Sequence, residues 1–152
     1  MNGSLPGRLL IVGIAAALAA ATPFADAQSI VEGRTAQDRR FIAGGIGLDQ
    51  SEQMKATARD FPLSITVTAK SGAYLADSHI RIDDARGKMV LDTQLNAPYL
   101  LVDLIPGKYS VEATLRGMKQ QRNVDIAANA PATIAFSFDV PVDRVPEKAP
   151  SK

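Results

Sequence analysis

Between Pro62 and Phe138 apolar and polar residues alternate in a series of short runs. In LSITVTA, Leu63, Ile65, Val67 and Ala69 fall on one face and Ser64, Thr66 and Thr68 on the other. That is the pattern of a half-buried strand. HIRID repeats it, with Ile80 and Ile82 inward and His79, Arg81 and Asp83 outward. Tyr109, Val111, Ala113 and Leu115 alternate with Ser110, Glu112, Thr114 and Arg116, and Ile134, Phe136 and Phe138 with Thr133, Ala135 and Ser137. KMVLDT and QQRNVDIAA are further strand segments, while YLLVDL is apolar on both faces, as a strand covered on both sides must be. The turn signals KSGAYLADS, DARG, IPGK, Gly117 and NAPA separate these runs. Short strands at such spacing predict an all-β, Ig-like antiparallel β-sandwich of about seven strands. In IPGK, Pro106 presets φ and Gly107 supplies a positive φ, the demand of a type II turn, so turn chemistry accounts for both.

Upstream the period changes. In LDQSEQMKATARDFP, Asp49 followed three residues later by Glu52 has the spacing of a capping box, and Met54, Ala58 and Phe61 form a narrow apolar stripe. One short N-terminal helix is expected, stopped by Pro62 near Asp60. FIAGGIG precedes it, and residues 28–40, polar and aperiodic, are expected to be a flexible lead-in. The tail 140–152 carries three prolines and charges of both signs and is expected to be disordered. The folded domain is therefore placed at 41–139.

Residues 1–27 have a different character. Arg8 precedes the apolar run LLIVGIAAALAAA, and Ala25 and Ala27 occupy the small-residue positions of a cleavage site. These are the three parts of a secretory signal peptide, which places the chain in the periplasm or outside the cell, without a stable membrane span after cleavage near Ala27. The competing reading, an uncleaved anchor, requires a longer apolar run than this one. The chain has no cysteine, so disulfides, thiol nucleophiles and Cys-based metal sites are excluded and the core alone must hold the domain. The net charge is +1, and removing residues 1–27 takes away Arg8 and Asp26 and leaves it unchanged. No nucleic-acid partner is expected from that balance.

LIPGKY, followed by an alternating strand that ends in ATLRG, resembles the middle of carboxypeptidase regulatory-like domains. The resemblance implies a prealbumin-like, seven-stranded sandwich. It is wider in a group of exported proteobacterial proteins, which are similar in GGIG (Gly44 to Gly47), GAYLAD (Gly72 to Asp77), VLDT (Val90 to Thr93) and APYLLVDLIPGKY (Ala97 to Tyr109). Ala97 and Ile105 depart from that pattern, where glycine and a second proline are common. The resemblance implies a fold and a compartment; it carries no activity.

Sharper chemistry finds little support in the residues. Related sandwiches that hydrolyse a purine-degradation intermediate rely on several histidines and a C-terminal Tyr-Arg-Gly-Ser, whereas His79 is the only histidine here and the chain ends KAPSK. Adhesin-type sandwiches can carry a Lys–Asn crosslink, but TIAFSFD, the last strand, has no asparagine to meet Lys70. Asp77, His79, Asp83 and Asp84 could be imagined as a metal site, yet Asp84 faces away and Arg81 stands between His79 and Asp83. GGIG before a helix invites comparison with anion-binding loops, though no βαβ context follows and Asp49 would repel an anion. The glycines Gly44, Gly45 and Gly47 are expected chiefly to let the chain pass close against the sandwich. Tyr109, Phe136 and Phe138 fall on inward faces, which leaves Tyr74 and Tyr99 as possible platform residues for a glycan or small ligand.

These observations point to an exported, non-enzymatic sandwich with no cofactor and no metal, which binds or scaffolds another cell-envelope protein, with sheet edges open to strand addition. Contacts to a partner or ligand are expected at Tyr74, Tyr99, Gly44, Gly45 and Gly47. The alternative is a glycan- or small-ligand-binding domain. A third reading, a hydrolase, would need a nucleophile beside His79.

Overall fold

The structure, a computed structural model, describes residues 30–141. The expected signal peptide and the tail beyond Pro141 lie outside the described residues. The chain runs β1 (Val31–Arg34), β2 (Arg40–Gly44), α1 (Leu48–Thr57) with a 3-10 turn at Ala58–Asp60, β3 (Leu63–Ala69), β4 (Ser78–Asp84), β5 (Met89–Leu95), β6 (Tyr99–Val102), β7 (Gly107–Leu115), β8 (Met118–Ile126) and β9 (Ala132–Phe138).

Two sheets form the expected all-β sandwich, one in the order β1-β2-β6-β3-β9 and the other β5-β4-β7-β8. Every residue placed inward by the alternation in β3, β4, β7 and β9 is buried between them, among them Ile65, Val67, Ile80, Ile82, Val111 and Phe136, all fully inaccessible. The described residues hold nine strands rather than about seven, and the pairing of β3 with β9 is parallel, from Leu63 opposite Ala132 to Ala69 opposite Phe138.

The two further strands, β1 and β2, correct the expectation of a flexible lead-in through residue 40. They form a hairpin with Val31 opposite Ala43 and Arg34 opposite Arg40. Its turn is built from polar residues: Thr35 Oγ1 accepts from the amides of Gln37 and Arg39, and Asp38 takes a left-handed conformation at φ 56°. Asp tolerates that region better than most residues, which is what a short hairpin loop requires.

The helix packs on its own sandwich, over the outer face of the first sheet. Met54, Phe61, Ile42, Tyr99 and Leu101 form a second apolar cluster there. The start of α1 differs from the expected capping box. Gly47 is the N-cap at φ 83° and no side chain caps the helix; Asp49 lies inside the first turn. Ser51 anchors that turn instead: its amide bonds the Gly47 carbonyl at 3.1 Å and its buried hydroxyl donates to the Gly45 carbonyl at 2.7 Å. The helix stops where expected, the 3-10 turn ending at Asp60 before Pro62.

β6 is therefore buried on both faces. Leu100 and Val102 enter the sandwich core, and Tyr99 and Leu101 enter the helix-side cluster. The open sides of the sandwich are each tied by a bond between sheets. A bulge opposite Ile82 and Asp83 turns both Val90 and Leu91 into the core, and the Val90 carbonyl accepts the Ala36 amide at 2.8 Å. On the other side the Gln120 side chain donates to the Ser137 carbonyl at 2.7 Å.

The Pro106–Gly107 pair does not form the expected type II turn. Gly107 has φ 157°, far from the roughly +80° which that turn needs. The Ile105 carbonyl instead accepts the Tyr109 hydroxyl at 2.7 Å, so a tyrosine on β7 ties down the chain entering its own strand, the device sandwiches use at corners. Tyr109 is buried, and Tyr109→Phe would leave that carbonyl without its donor while keeping the ring. The expected loss is about 1–2 kcal/mol, read as a lower urea midpoint at unchanged slope.

Candidate functional site

Three of the five residues singled out from the sequence meet around one ring, and the other two lie beside them. Tyr99 opens β6 on its helix-facing side, opposite Gly44 of β2 and Thr66 of β3. Gly45, the residue after β2, lies against its ring: a Cβ built on Gly45 would stand 2.3 Å from Tyr99 Cδ2, and Gly45 has φ 101°. Gly44 is closed by Ile30 Cγ1 at 2.9 Å and Met54 Sδ at 3.4 Å from the position its Cβ would take. Gly47 is different; nothing lies within 4 Å, and its φ of 83° alone asks for glycine. Gly44 and Gly45 thus pass close against the domain as expected, whereas Gly47 meets nothing and serves only the positive φ that turns the chain into α1.

Tyr74 closes the other side. It lies in the β3–β4 connection and forms an isolated bridge with Thr68, which brings it to the same face of the sheet. The two rings have centroids 5.3 Å apart at an interplanar angle of 47°, and the Tyr99 hydroxyl donates to that of Tyr74 at 2.7 Å. Their exposures separate their roles. Tyr99 is 6% exposed and is the base; Tyr74 is 50% exposed and presents its ring to solvent. Burial in the first place, and then the bond to Tyr74, push the Tyr99 hydroxyl above the ordinary tyrosine range.

Two apolar residues that the sequence reading did not select belong to the same place. Ile46, 36% exposed, lies inside GGIG, and Leu48, 76% exposed, is the first residue of α1. Leu48 lies outside the Met54–Phe61 stripe, and an apolar residue off the buried stripe at a helix start was the available signal.

The other candidates do not converge. His79 Nε2 is 2.6 Å from Asp92 Oδ1 on the outer face of the second sheet. Asp83 is held by Arg81 Nε, at 3.1 and 3.0 Å to its two oxygens, and Asp84 Oδ1 accepts the amides of Arg86 and Lys88 in the β4–β5 turn. The flanking carboxylates Asp83, Asp92 and Glu112 raise the Arg81 pKa further. Among the described residues no three His, Asp or Glu are grouped to hold a metal ion. Lys70 pairs with Asp139 at 3.0 Å, both well exposed. Among the described residues, open grooves occur elsewhere, one of about 290 Å³ beside Arg59, Pro62 and Asn129 and another of about 420 Å³ beside Lys108, Ser110 and Asp125. Neither includes Tyr74 or Tyr99. No protein-family model matches the chain, and no curated protein matches it.

The packing at Gly45 and the burial of Tyr99 each have a measurable consequence. Gly45→Ala adds both a left-handed penalty and a clash with a buried ring, for an expected loss of about 2–4 kcal/mol, whereas Gly47→Ala carries only the first, about 1–2 kcal/mol. Chemical denaturation of the two variants checks the order. Because the Tyr99 pKa is raised in the folded state, its contribution is complete below the unfolded value of about 10 and is lost as pH rises through the folded one. The native chain should therefore lose stability relative to Tyr99→Phe above about pH 10, and show a constant difference below it.

Proposed function

We propose that this chain is an exported, non-enzymatic binding module that engages another cell-envelope protein through the surface around Tyr74. One observation carries the reading: three exposed apolar side chains, Tyr74 over the Tyr99 ring and Ile46 and Leu48 in the chain that follows Gly45, adjoin a buried base of Gly45, Tyr99 and Ser51 that is tied by hydrogen bonds of Ser51 to Gly45 and of Tyr99 to Tyr74. Scattered apolar residues on a surface need no explanation, but a group of them on a rigid support is the composition of a contact surface. Its parts are matched to binding. Tyr74 offers a large ring with few torsions to freeze, and its hydroxyl oxygen already accepts a hydrogen bond from Tyr99 below. Leu48 and Ile46 are carried by a loop that Gly45 packs directly onto the Tyr99 ring.

The second sheet offers a contrast. The outer face of the second sheet is a ladder of polar and charged pairs, Asp92 with His79, Asp83 with Arg81 and Glu112 with Lys119. The signal-peptide pattern read from the sequence at residues 1–27 supports an envelope location for the partner. The glycan-binding alternative rests on Tyr74 alone, because Tyr99 lies beneath it and offers no second exposed ring.

Photo-crosslinkers placed singly at Ile46, Leu48 and Lys119 in intact cells test the proposal. The same envelope protein should be captured from Ile46 and Leu48, not from Lys119, and Leu48→Asp should reduce its capture at least tenfold without altering thermal stability. Capture that is equal from all three positions, or absent from the first two while glycans protect Tyr74 from chemical modification, would contradict it.

A further inference from the structure

The hairpin at the start of the domain leaves one edge open, and its polarity can be worked out. Thr35 donates its amide to the Arg39 carbonyl, so Thr35 and Arg39 are a hydrogen-bonded pair of the β1–β2 ladder. Such pairs alternate along an antiparallel ladder. In the observed register Gly33–Phe41 and Val31–Ala43 are then also bonded pairs, while Glu32 and Arg34 turn their amides and carbonyls away from β2. Ala36 follows the same parity, and its amide does point away, to the Val90 carbonyl. Among the described residues the outward main-chain groups of Glu32 and Arg34 meet no backbone partner.

The geometry points to a second copy of this chain as the occupant of that edge, in an antiparallel two-fold pair of β1 strands. A two-fold axis perpendicular to a shared sheet pairs residues of like parity. With the axis at Gly33, Glu32 lies opposite Arg34 of the second copy and Arg34 opposite its Glu32. Both are residues with outward-facing main-chain groups, so each pair exchanges two main-chain hydrogen bonds, and each sets opposite charges side by side. Moving the register two residues either way would put Glu32 against Glu32 or Arg34 against Arg34, so the charges select this register. Gly33 at the axis presents no side chain, and its own-chain side is filled by the Phe41 ring, which would stand 2.4 Å from a Cβ there. The same register covers Val31, 58% exposed, with Thr35 of the second copy. Pairing ends at Thr35 because the Ala36 amide is already engaged. The exposed contact of Arg34 with Asp38, at 3.2 Å, is no obstacle, since such pairs exchange readily.

A contact of five residues per chain is small, which makes this a reversible dimer. Glu32 and Arg34 lie on the face that carries Ile42 and α1, so the dimer is one continuous ten-stranded sheet with both helices, and both Tyr74 surfaces, on one side. The pairing stands independently of what those surfaces bind.

Charge reversal tests it without touching the core. Sedimentation equilibrium of the full chain at low salt should give a monomer–dimer equilibrium. Glu32→Arg and Arg34→Glu alone each replace attraction by repulsion twice and should weaken the dimer about tenfold or more. An equimolar mixture of the two variants, and the double swap, should each restore it, with circular dichroism unchanged throughout. A monomer at every concentration, or a dimer indifferent to either reversal, would overturn the proposal.

Discussion

The architecture depends on a four-residue strand that is buried on both faces. Tyr99, Leu100, Leu101 and Val102 are all inaccessible or nearly so, two turned into the sandwich and two into the layer beneath α1. A strand in that position cannot be an edge. β2 and β3 must flank it to satisfy its backbone, and something must cover its outer face. The helix and the 3-10 turn supply that cover with Met54 and Phe61, and Arg40 stacks over the Phe61 ring at 5.0 Å to close its end. β1 then follows as the partner of β2. In this sense the N-terminal hairpin and helix are required by β6 and pack as part of the folded domain.

The surface proposed for binding is a by-product of the same constraint. Tyr99 is too long to be covered by α1 alone, so its ring is closed by bare backbone at Gly45 on one side and by Tyr74 on the other. Beside that bare backbone Leu48 stays largely exposed and Ile46 partly so. Rigidity beneath and apolar exposure above therefore meet at one place.

The strands from β3 onward are legible in the sequence because each has one face in the core and one in water, and YLLV because it has neither in water. Met54 and Phe61 are legible for the same reason. β1 is not legible, since VEGR at an edge buries almost nothing, and its turn depends on Thr35 and Asp38, polar residues that a flexible segment would also contain. The capping motif at Asp49 was misleading because the glycine two residues earlier supplies the helix entry and Ser51 supplies the side-chain anchor. At Pro106–Gly107 the turn residues concealed a longer-range bond from Tyr109, which alternation identifies only as an inward ring. Tyr74 and Tyr99 were recognisable as candidates by elimination, but their pairing required knowing that the β3–β4 connection folds back along Thr68.

If β6 couples the two layers, the helix and the sandwich open as one cooperative unit. Native-state hydrogen exchange in increasing denaturant measures this directly. The most protected amides of α1, β2 and β6 should converge on a single opening free energy, with the denaturant dependence of global unfolding. Exchange of α1 and the β1–β2 hairpin through a separate low-energy opening, with β6 still protected as strongly as β3, would contradict the account.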